Sequence, residues 1–250
     1  MKRYFKYFVL VVSVVIFIYA AYSLLRIHVS YRAITNMNAE LQNNYTQVSQ
    51  NTSGEEYLVI DWEGLLNRNR DVVAWIYVPG TNINFPVLQG DTNYTYLRHN
   101  IDREFSVGGS IFMDALNCSS FGDLSTMIHG HNMRNDSMFS QVADLANGSM
   151  AEIPTRVHIY LPNGMLKSYK IVSINSIDIS SALFNGGSRS LEDYFELMAE
   201  GSVVSVDFDR DTVGRILVLS TCGNFAANTT LRAVVYSVLE REIDVRSQGN

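Results

Sequence analysis

The sequence predicts a mainly β protein with added helices, folded as a barrel or a sandwich. Three observations support this prediction. After Asp71 the chain contains eight or nine short β-prone runs, turn residues separate these runs, and few helical patterns interrupt them. With 250 residues, of which 47% are hydrophobic and 18% charged, the chain can bury a sizeable core.

The first 26 residues predict a membrane anchor. Residues 7–25 contain no charge and are long enough to cross a bilayer as one helix. The apolar run continues without the small-residue cleavage site of a signal peptide, so we expect the anchor to be retained. Lys2, Arg3 and Lys6 hold the N-terminus in the cytoplasm by the positive-inside rule. We therefore expect a single-pass protein of the cell membrane whose remaining residues lie outside the cell.

Residues 27–54 are expected to form an amphipathic stalk and a linker. Ile27, Ile34, Leu41 and Val48 recur at a spacing of seven among polar residues, which predicts a thin amphipathic helix. Because this apolar stripe is narrow, we expect a stalk rather than a helix packed on the main domain.

Residues 55–250 are expected to form one extracellular domain that includes helices. Ser53 and Glu56 form a capping-box pattern at the start of a first helix, and Ser190 is the predicted N-cap of a later one. The predicted helices after the linker begin near residue 53 and cover residues 137–146 and 190–200. The predicted strands cover residues 72–78, 83–88, 110–113, 124–129, 156–161, 165–174, 203–208, 215–220 and 232–240.

Charge and cysteine content exclude several classes of function. Beyond residue 26 the chain has 15 basic and 25 acidic side chains, which argues against nucleic-acid binding. Two cysteines, Cys118 and Cys222, are too few for a disulfide-rich scaffold or a multi-cysteine metal site. The histidines are scattered, so we expect no metal and no cofactor. Cysteine counting alone leaves two possibilities open, a disulfide between the two cysteines and a reactive thiol.

Three residues at predicted strand ends could act together in catalysis. Cys222 follows an apolar strand and precedes a glycine, His131 lies just past another strand, and Arg232 begins a third. A thiolate can attack an acyl carbon, an imidazolium can protonate the departing amine, and a guanidinium can stabilise the oxyanion. Separately, each of these residues is more often structural than catalytic.

The sequence around these residues resembles the sortase family. Val-Leu-Ser-Thr-Cys at 218–222 is similar to the T-L-x-T-C signature of sortases, and Arg232 stands at the downstream arginine position. Gly130 and His131 are similar to the histidine motif, and residues 72–90 resemble the opening strands of class B members. The resemblance covers about residues 55–243.

This resemblance implies a closed, eight-stranded, sortase-type β-barrel. It also implies N-terminal helices and a helix inserted between strands six and seven. Cys222 is then the nucleophile, His131 the general acid and base, and Arg232 the cation that positions the substrate or stabilises the oxyanion. Two departures are Val218 in place of the first signature threonine and His129 where a tyrosine is more usual, which leaves open which histidine is catalytic.

The resemblance also implies substrate-binding residues and a reaction. Asn93, Leu97, Ser220 and Thr221 resemble positions that line the peptide groove. A membrane-anchored cysteine transpeptidase would cleave a sorting signal of the N-P-x-T-N or P-x-T-G-like type after its threonine. The acyl group would pass through a thioester to an amino group of a peptidoglycan precursor (lipid II) or a cross-bridge.

Three other activities remain open from the sequence. A pilin-polymerising sortase would use a protein lysine as the acceptor. A membrane-tethered binding domain with a dead site would have an unreactive Cys222. A plain cysteine protease would resolve the acyl-enzyme with water.

Overall fold

The computed structural model describes residues 2–50, 54–178, 180, 189–221 and 230–247. Its secondary-structure elements, in chain order, are α1 (Lys2–Tyr45), β1 (Thr46–Gln50), β2 (Glu56–Ile60), α2 (Trp62–Arg68), β3 (Val72–Tyr77), β4 (Asn84–Leu88), β5 (Ile111–Met113), β6 (Ser125–Gly130), α3 (Ser140–Ala146), β7 (Arg156–Tyr160), β8 (Met165–Asp178), α4 (Leu191–Ala199), β9 (Ser202–Ser205), β10 (Ile216–Thr221) and β11 (Leu231–Asp244). Short 3₁₀ turns cover Arg210–Thr212 and Val245–Ser247.

Eight strands close into a barrel in the order β11-β10-β6-β5-β4-β3-β7-β8, and β8 pairs back onto β11. Neighbouring strands are antiparallel except for two parallel pairs, β10 with β6 and β4 with β5. The extra strand β9 extends the sheet from β8. Helix α4 lies between β8 and β10, which are the sixth and seventh barrel strands along the chain. The predicted closed barrel and its inserted helix are therefore confirmed.

Residues 216–219 of β10 are all apolar because both faces of the strand are buried. Leu217 and Leu219 point into the barrel core, whereas Ile216 and Val218 belong to a second apolar cluster that includes Phe195 of α4. Val218 is fully buried among apolar side chains. A valine methyl packs there without needing the hydrogen-bond partner that a buried threonine hydroxyl would require. The departure from the sortase signature at this position is thus compatible with the fold.

A β-hairpin occupies the region where we expected a linker and the start of a helix. Strands β1 and β2 pair antiparallel, and the alternately placed Leu58 and Ile60 of β2 are buried. Helix α2 begins only at Trp62, and the Asp61 carboxylate caps it by accepting the Gly64 N–H at 3.0 Å. The helix start predicted from Glu56 was therefore wrong, since that residue lies in β2; Ser53 lies outside the described residues.

The C-terminal half of α1 packs against the barrel. Ile34 and Leu41, two members of the heptad stripe, are buried, with exposures of 7% and 4%. The Gln42 side-chain amide donates to the Asn84 carbonyl of β4 at 2.9 Å. The segment that we expected to be a stalk is thus held against the domain over about three helical turns.

The N-terminal half of α1 is long and apolar enough to cross a membrane. Its most apolar 18-residue window has a mean hydropathy of 2.6, and none of that window is buried in the protein. A signal sequence near the N-terminus can pass the same test of length and hydropathy.

Candidate active site

Two parallel strands bring His131 next to the end of β10. Gly130, the last residue of β6, is paired with Thr221, the last residue of β10. His131 follows Gly130 directly, and Cys222 follows Thr221 directly in the sequence. Cys222 itself lies outside the described residues. Because parallel strands end at the same edge of a sheet, this register explains how the two sequence motifs can meet.

Arg232 lies on the opposite side of β10 from His131. It is the second residue of β11, which runs antiparallel to β10. The N–H of the next residue, Ala233, donates to the Thr221 hydroxyl oxygen at 3.0 Å. Since adjacent strands are about 4.8 Å apart, the strands leading to His131 and Arg232 are separated by about 10 Å, with the end of β10 between them.

The His131 ring is anchored by a backbone carbonyl. Its Nε2 lies 2.8 Å from the carbonyl oxygen of Leu97, which can only accept a hydrogen bond. Nε2 therefore bears a proton, and Nδ1 is the nitrogen that can gain and lose one. The backbone of Leu97, a predicted groove residue, thus contacts His131. The Leu97 side chain is half-buried.

His129 has a different environment from His131. Its Nε2 donates to the Asp114 carboxylate at 3.2 Å, and its ring lies 5.2 Å from the Phe112 ring. The hydrogen bond from His129 is the largest of the effects that lower the pKa of Asp114 to about 2. Only 12% of the His129 side chain is exposed. The environment of His129 is therefore that of a partly buried histidine paired with a carboxylate.

Asp114 also fixes Asn93, another predicted groove residue. The Asn93 amide nitrogen donates to the same carboxylate oxygen at 2.8 Å, and its amide oxygen accepts the Ala115 N–H at 2.7 Å. The sequence prediction did not include Asp114. The position of Asp114 directly after strand β5 is the one feature of the sequence that could have suggested a role in the site. His129 and Asn93, which it joins, are far from it in the sequence.

Ser220 and Thr221 are buried at the end of β10, with exposures of 1% and 3%. The Arg232 guanidinium donates to the Leu231 carbonyl at 3.2 Å. Nearby, Asp178 has its pKa lowered to about 2, first by hydrogen bonds from the side chains of Ser180 and Thr230 and, more weakly, by the charge of Arg232. Among the described residues, no group of three or more His, Cys, Asp and Glu side chains could hold a metal ion.

Comparison with known proteins places this arrangement in a family. Residues 76–240 match the model of the sortase domain. This chain belongs to the sortase family. The class follows from its relatives: it is 28% identical over 238 residues to sortase B of Staphylococcus aureus, covering 94% of this chain and 96% of the relative.

Solved class B sortases share the fold. Sortase B of Clostridium perfringens is 33% identical, with a TM-score of 0.62 over 72% of this chain and 99% of that one. A class B sortase of Streptococcus pyogenes involved in pilus biogenesis is 25% identical, with a TM-score of 0.63 over 72% of this chain and 98% of the other. Class B membership makes this chain a cell-wall sorting transpeptidase.

Proposed function

We propose that this class B sortase is a membrane-anchored cysteine transpeptidase that attaches secreted proteins to the cell wall. Cys222 attacks the threonine carbonyl of a C-terminal sorting signal, and the peptide bond after that threonine breaks. His131 protonates the departing amine. An amino group of the peptidoglycan precursor or cross-bridge then attacks the thioester and releases the Cys222 thiol.

The parallel register of β6 and β10 is the observation that best supports this proposal. It places His131 one residue beyond Gly130 and, by sequence, Cys222 one residue beyond the paired Thr221. The Leu97 carbonyl holds Nε2, so Nδ1 exchanges the proton. Arg232, at the start of β11 on the other side of β10, supplies the positive charge for the oxyanion.

The choice between the two histidines follows from their partners. Proton exchange at His129 would disturb its hydrogen bond to the partly buried Asp114 carboxylate. His131 bonds instead to a neutral carbonyl. We therefore expect His131→Ala to abolish acyl transfer and His129→Ala to retain a measurable rate. Full activity of His131→Ala would overturn the assignment.

Peptide cleavage by cysteine variants tests the nucleophile. The full chain is incubated with sorting-signal peptides of both types and short amines, and the products are identified by mass spectrometry. Cys222→Ala should lose cleavage and the trapped thioester. Cys118→Ala is the matched control and should retain both, because Cys118 is an exposed free cysteine in a separate loop. Unchanged cleavage by Cys222→Ala would refute the proposal.

A pilin-polymerising activity is the second candidate, favoured by the likeness to the pilus-biogenesis sortase of S. pyogenes. The first half-reaction is the same, and the acceptor is a protein lysine. Mass spectrometry of the product formed in cells distinguishes an isopeptide bond to lysine from a link to peptidoglycan. Hydrolysis alone, with no transfer to any amine, would indicate a protease.

A further inference from the structure

An aromatic ring is exposed on the loop that packs against α1. We call residues 98–109 the α1-facing loop. Phe105, within it, is 70% exposed, although the backbone on either side is fixed by hydrogen bonds. The Asn100 N–H donates to the Glu104 carbonyl and the Ser106 N–H to the Arg98 carbonyl, both at 2.9 Å. A structured loop thus holds a large apolar side chain in an exposed position.

The α1-facing loop lies against the part of α1 that directly follows the apolar run. Val29 and Ile34 of α1 line one cavity of about 300 Å³ together with Phe105 and Val107 of the loop. A Cβ atom built on Gly108 would lie 2.9 Å from the end of the Ile34 side chain, so the loop backbone approaches the helix closely here. Phe105 therefore lies alongside the part of α1 from Val29 to Asn38, whose residues line the same cavity.

The Val29 end of this cavity lies at the level of the lipid headgroups if α1 spans the bilayer. The apolar run ends at Leu25, Arg26 is the first charge after it, and Val29 lies three residues farther on. A rise of 1.5 Å per residue puts Val29 about 5 Å beyond Arg26. The headgroup layer on each side of the hydrocarbon core is about 5–7 Å thick. Because α1 is one continuous helix from Lys2 to Tyr45, no break separates the span from the docked half.

We propose that the α1-facing loop rests on the outer surface of the phospholipid bilayer, with the Phe105 ring inserted at the level of the headgroups. The occupant of this apolar surface is then lipid. Phe, like Trp and Leu, is among the apolar side chains that membrane-surface segments bury at the boundary between headgroups and acyl chains. The inference rests on the proposed membrane anchor and adds a second contact, made by the catalytic domain itself.

This contact would set the distance of the active site from the membrane. Leu97, immediately before the loop, accepts the hydrogen bond from His131. The same stretch of chain therefore joins the bilayer contact to the proposed general acid. An acceptor amine carried on a membrane lipid would then meet the acyl-enzyme at a fixed height.

Tryptophan quenching by lipid tests the proposal. The full chain is reconstituted in phosphatidylcholine vesicles, with or without lipids brominated near the top of their acyl chains. Phe105→Trp should show blue-shifted emission and strong quenching above the wild-type background of Trp62 and Trp75. Val203→Trp is the matched control, since Val203 is 50% exposed on β9, which pairs with β8 away from the strands that contact α1. This control should remain unquenched.

A third variant separates failure of the inference from failure of the anchor. Phe17 lies near the middle of the apolar run, so Phe17→Trp should be quenched by lipids brominated near the ends of their acyl chains if α1 spans the bilayer. Quenching at position 17 without quenching at position 105 would overturn the loop contact and leave the anchor intact. Quenching at neither position would overturn both. Blue-shifted but unquenched emission at position 105 would mean that another protein or a second copy covers the ring, which would also refute the proposal.

Discussion

Asp114 joins two parts of the site, and replacing it with asparagine should cost both stability and substrate binding. One of its oxygens accepts hydrogen bonds from Asn93 at 2.8 Å and from His129 at 3.2 Å, and the other accepts the Leu116 N–H at 3.0 Å. An asparagine side chain offers only one oxygen. In Asp114→Asn an N–H group would face at least one of these donors, and the hydrogen-bonded carboxylate charge would be lost.

The pKa of Asp114 gives the size of the effect. It falls from an ordinary 3.8 to about 2 because of His129 first, then the Leu116 N–H and Asn93, against an opposing effect of burial. At 1.36 kcal/mol per pKa unit, this corresponds to about 2 kcal/mol of stabilisation of the folded state by the ionised carboxylate. Only 20% of the side chain is exposed, so solvent screening reduces this figure little.

The pH dependence of the effect has a defined sign. A carboxylate whose pKa is lowered by folding stabilises the protein above its unfolded pKa, and this contribution is lost as the pH falls through the folded value. We expect Asp114→Asn to lower the free energy of unfolding by about 2 kcal/mol at neutral pH. The difference from the wild type should shrink as the pH falls from about 5 to about 2.

Urea unfolding of the purified full chain in detergent measures the free energy of unfolding at each pH. Peptide cleavage measures the effect on function. KM should rise more than kcat falls, because Asp114 holds Asn93, which is a proposed groove residue. Asp123→Asn is the matched control: Asp123 accepts N–H groups from Cys118 and Asn117 in the same loop but does not contact His129. Equal KM values for the two variants, or an Asp114→Asn stability equal to that of the wild type at neutral pH, would refute the reasoning.

Three further substitutions test the packing, each by urea unfolding of the full chain. Gly130→Ala places a Cβ within 2.6 Å of the Ile111 and Phe139 side chains and should cost about 1–3 kcal/mol, whereas Gly214→Ala, with nothing within 4 Å, should be nearly neutral. Burial lowers the pKa of His158 to about 4, so the free energy of unfolding of the wild type should fall by about 3 kcal/mol as the pH falls from about 6.5 to about 4. His158→Phe should not show this loss. Leu41→Ala should cost about 2–5 kcal/mol if α1 is docked, and no loss would mean that the helix is free.

The barrel could be predicted from the sequence because its strands have local signals. The apolar run of β10 and the turn at Gly164, which has a positive φ of 84°, are visible without knowledge of the fold. The β1–β2 hairpin could not be predicted in this way. Glu56 of β2 stands three residues after Ser53, which is the spacing of a capping box at the start of a helix. Pairing with β1 and burial of Leu58 and Ile60 override that local preference.

The proposed catalytic residues could be found from the sequence because each stands in a short motif at the end of a strand. Asp114 could not, because its role depends on two long-range contacts. The pairing of β5 with β6 sets His129 opposite Phe112, which lies two residues before Asp114 in the chain. The loop after β4 places Asn93 within hydrogen-bond distance of Asp114. Neither contact has a signal in the local sequence. The motifs thus indicate the proposed reacting groups, whereas Asp114, which holds the proposed groove residue Asn93, follows only from the register.

The face of α1 that packs on the barrel is wider than its heptad stripe. Ile34 and Leu41 are buried, and the partly buried side chains of Tyr31, Met37 and Tyr45 pack beside them against the apolar clusters. Polar contacts from Gln42 and Glu40 lie at the flanks of this face. If α1 is the proposed membrane anchor, a free stalk of this length would let the barrel move through a range of heights above the bilayer. The docked helix would remove that freedom, so the residues that fasten α1 to the barrel would also determine where the proposed transfer reaction takes place.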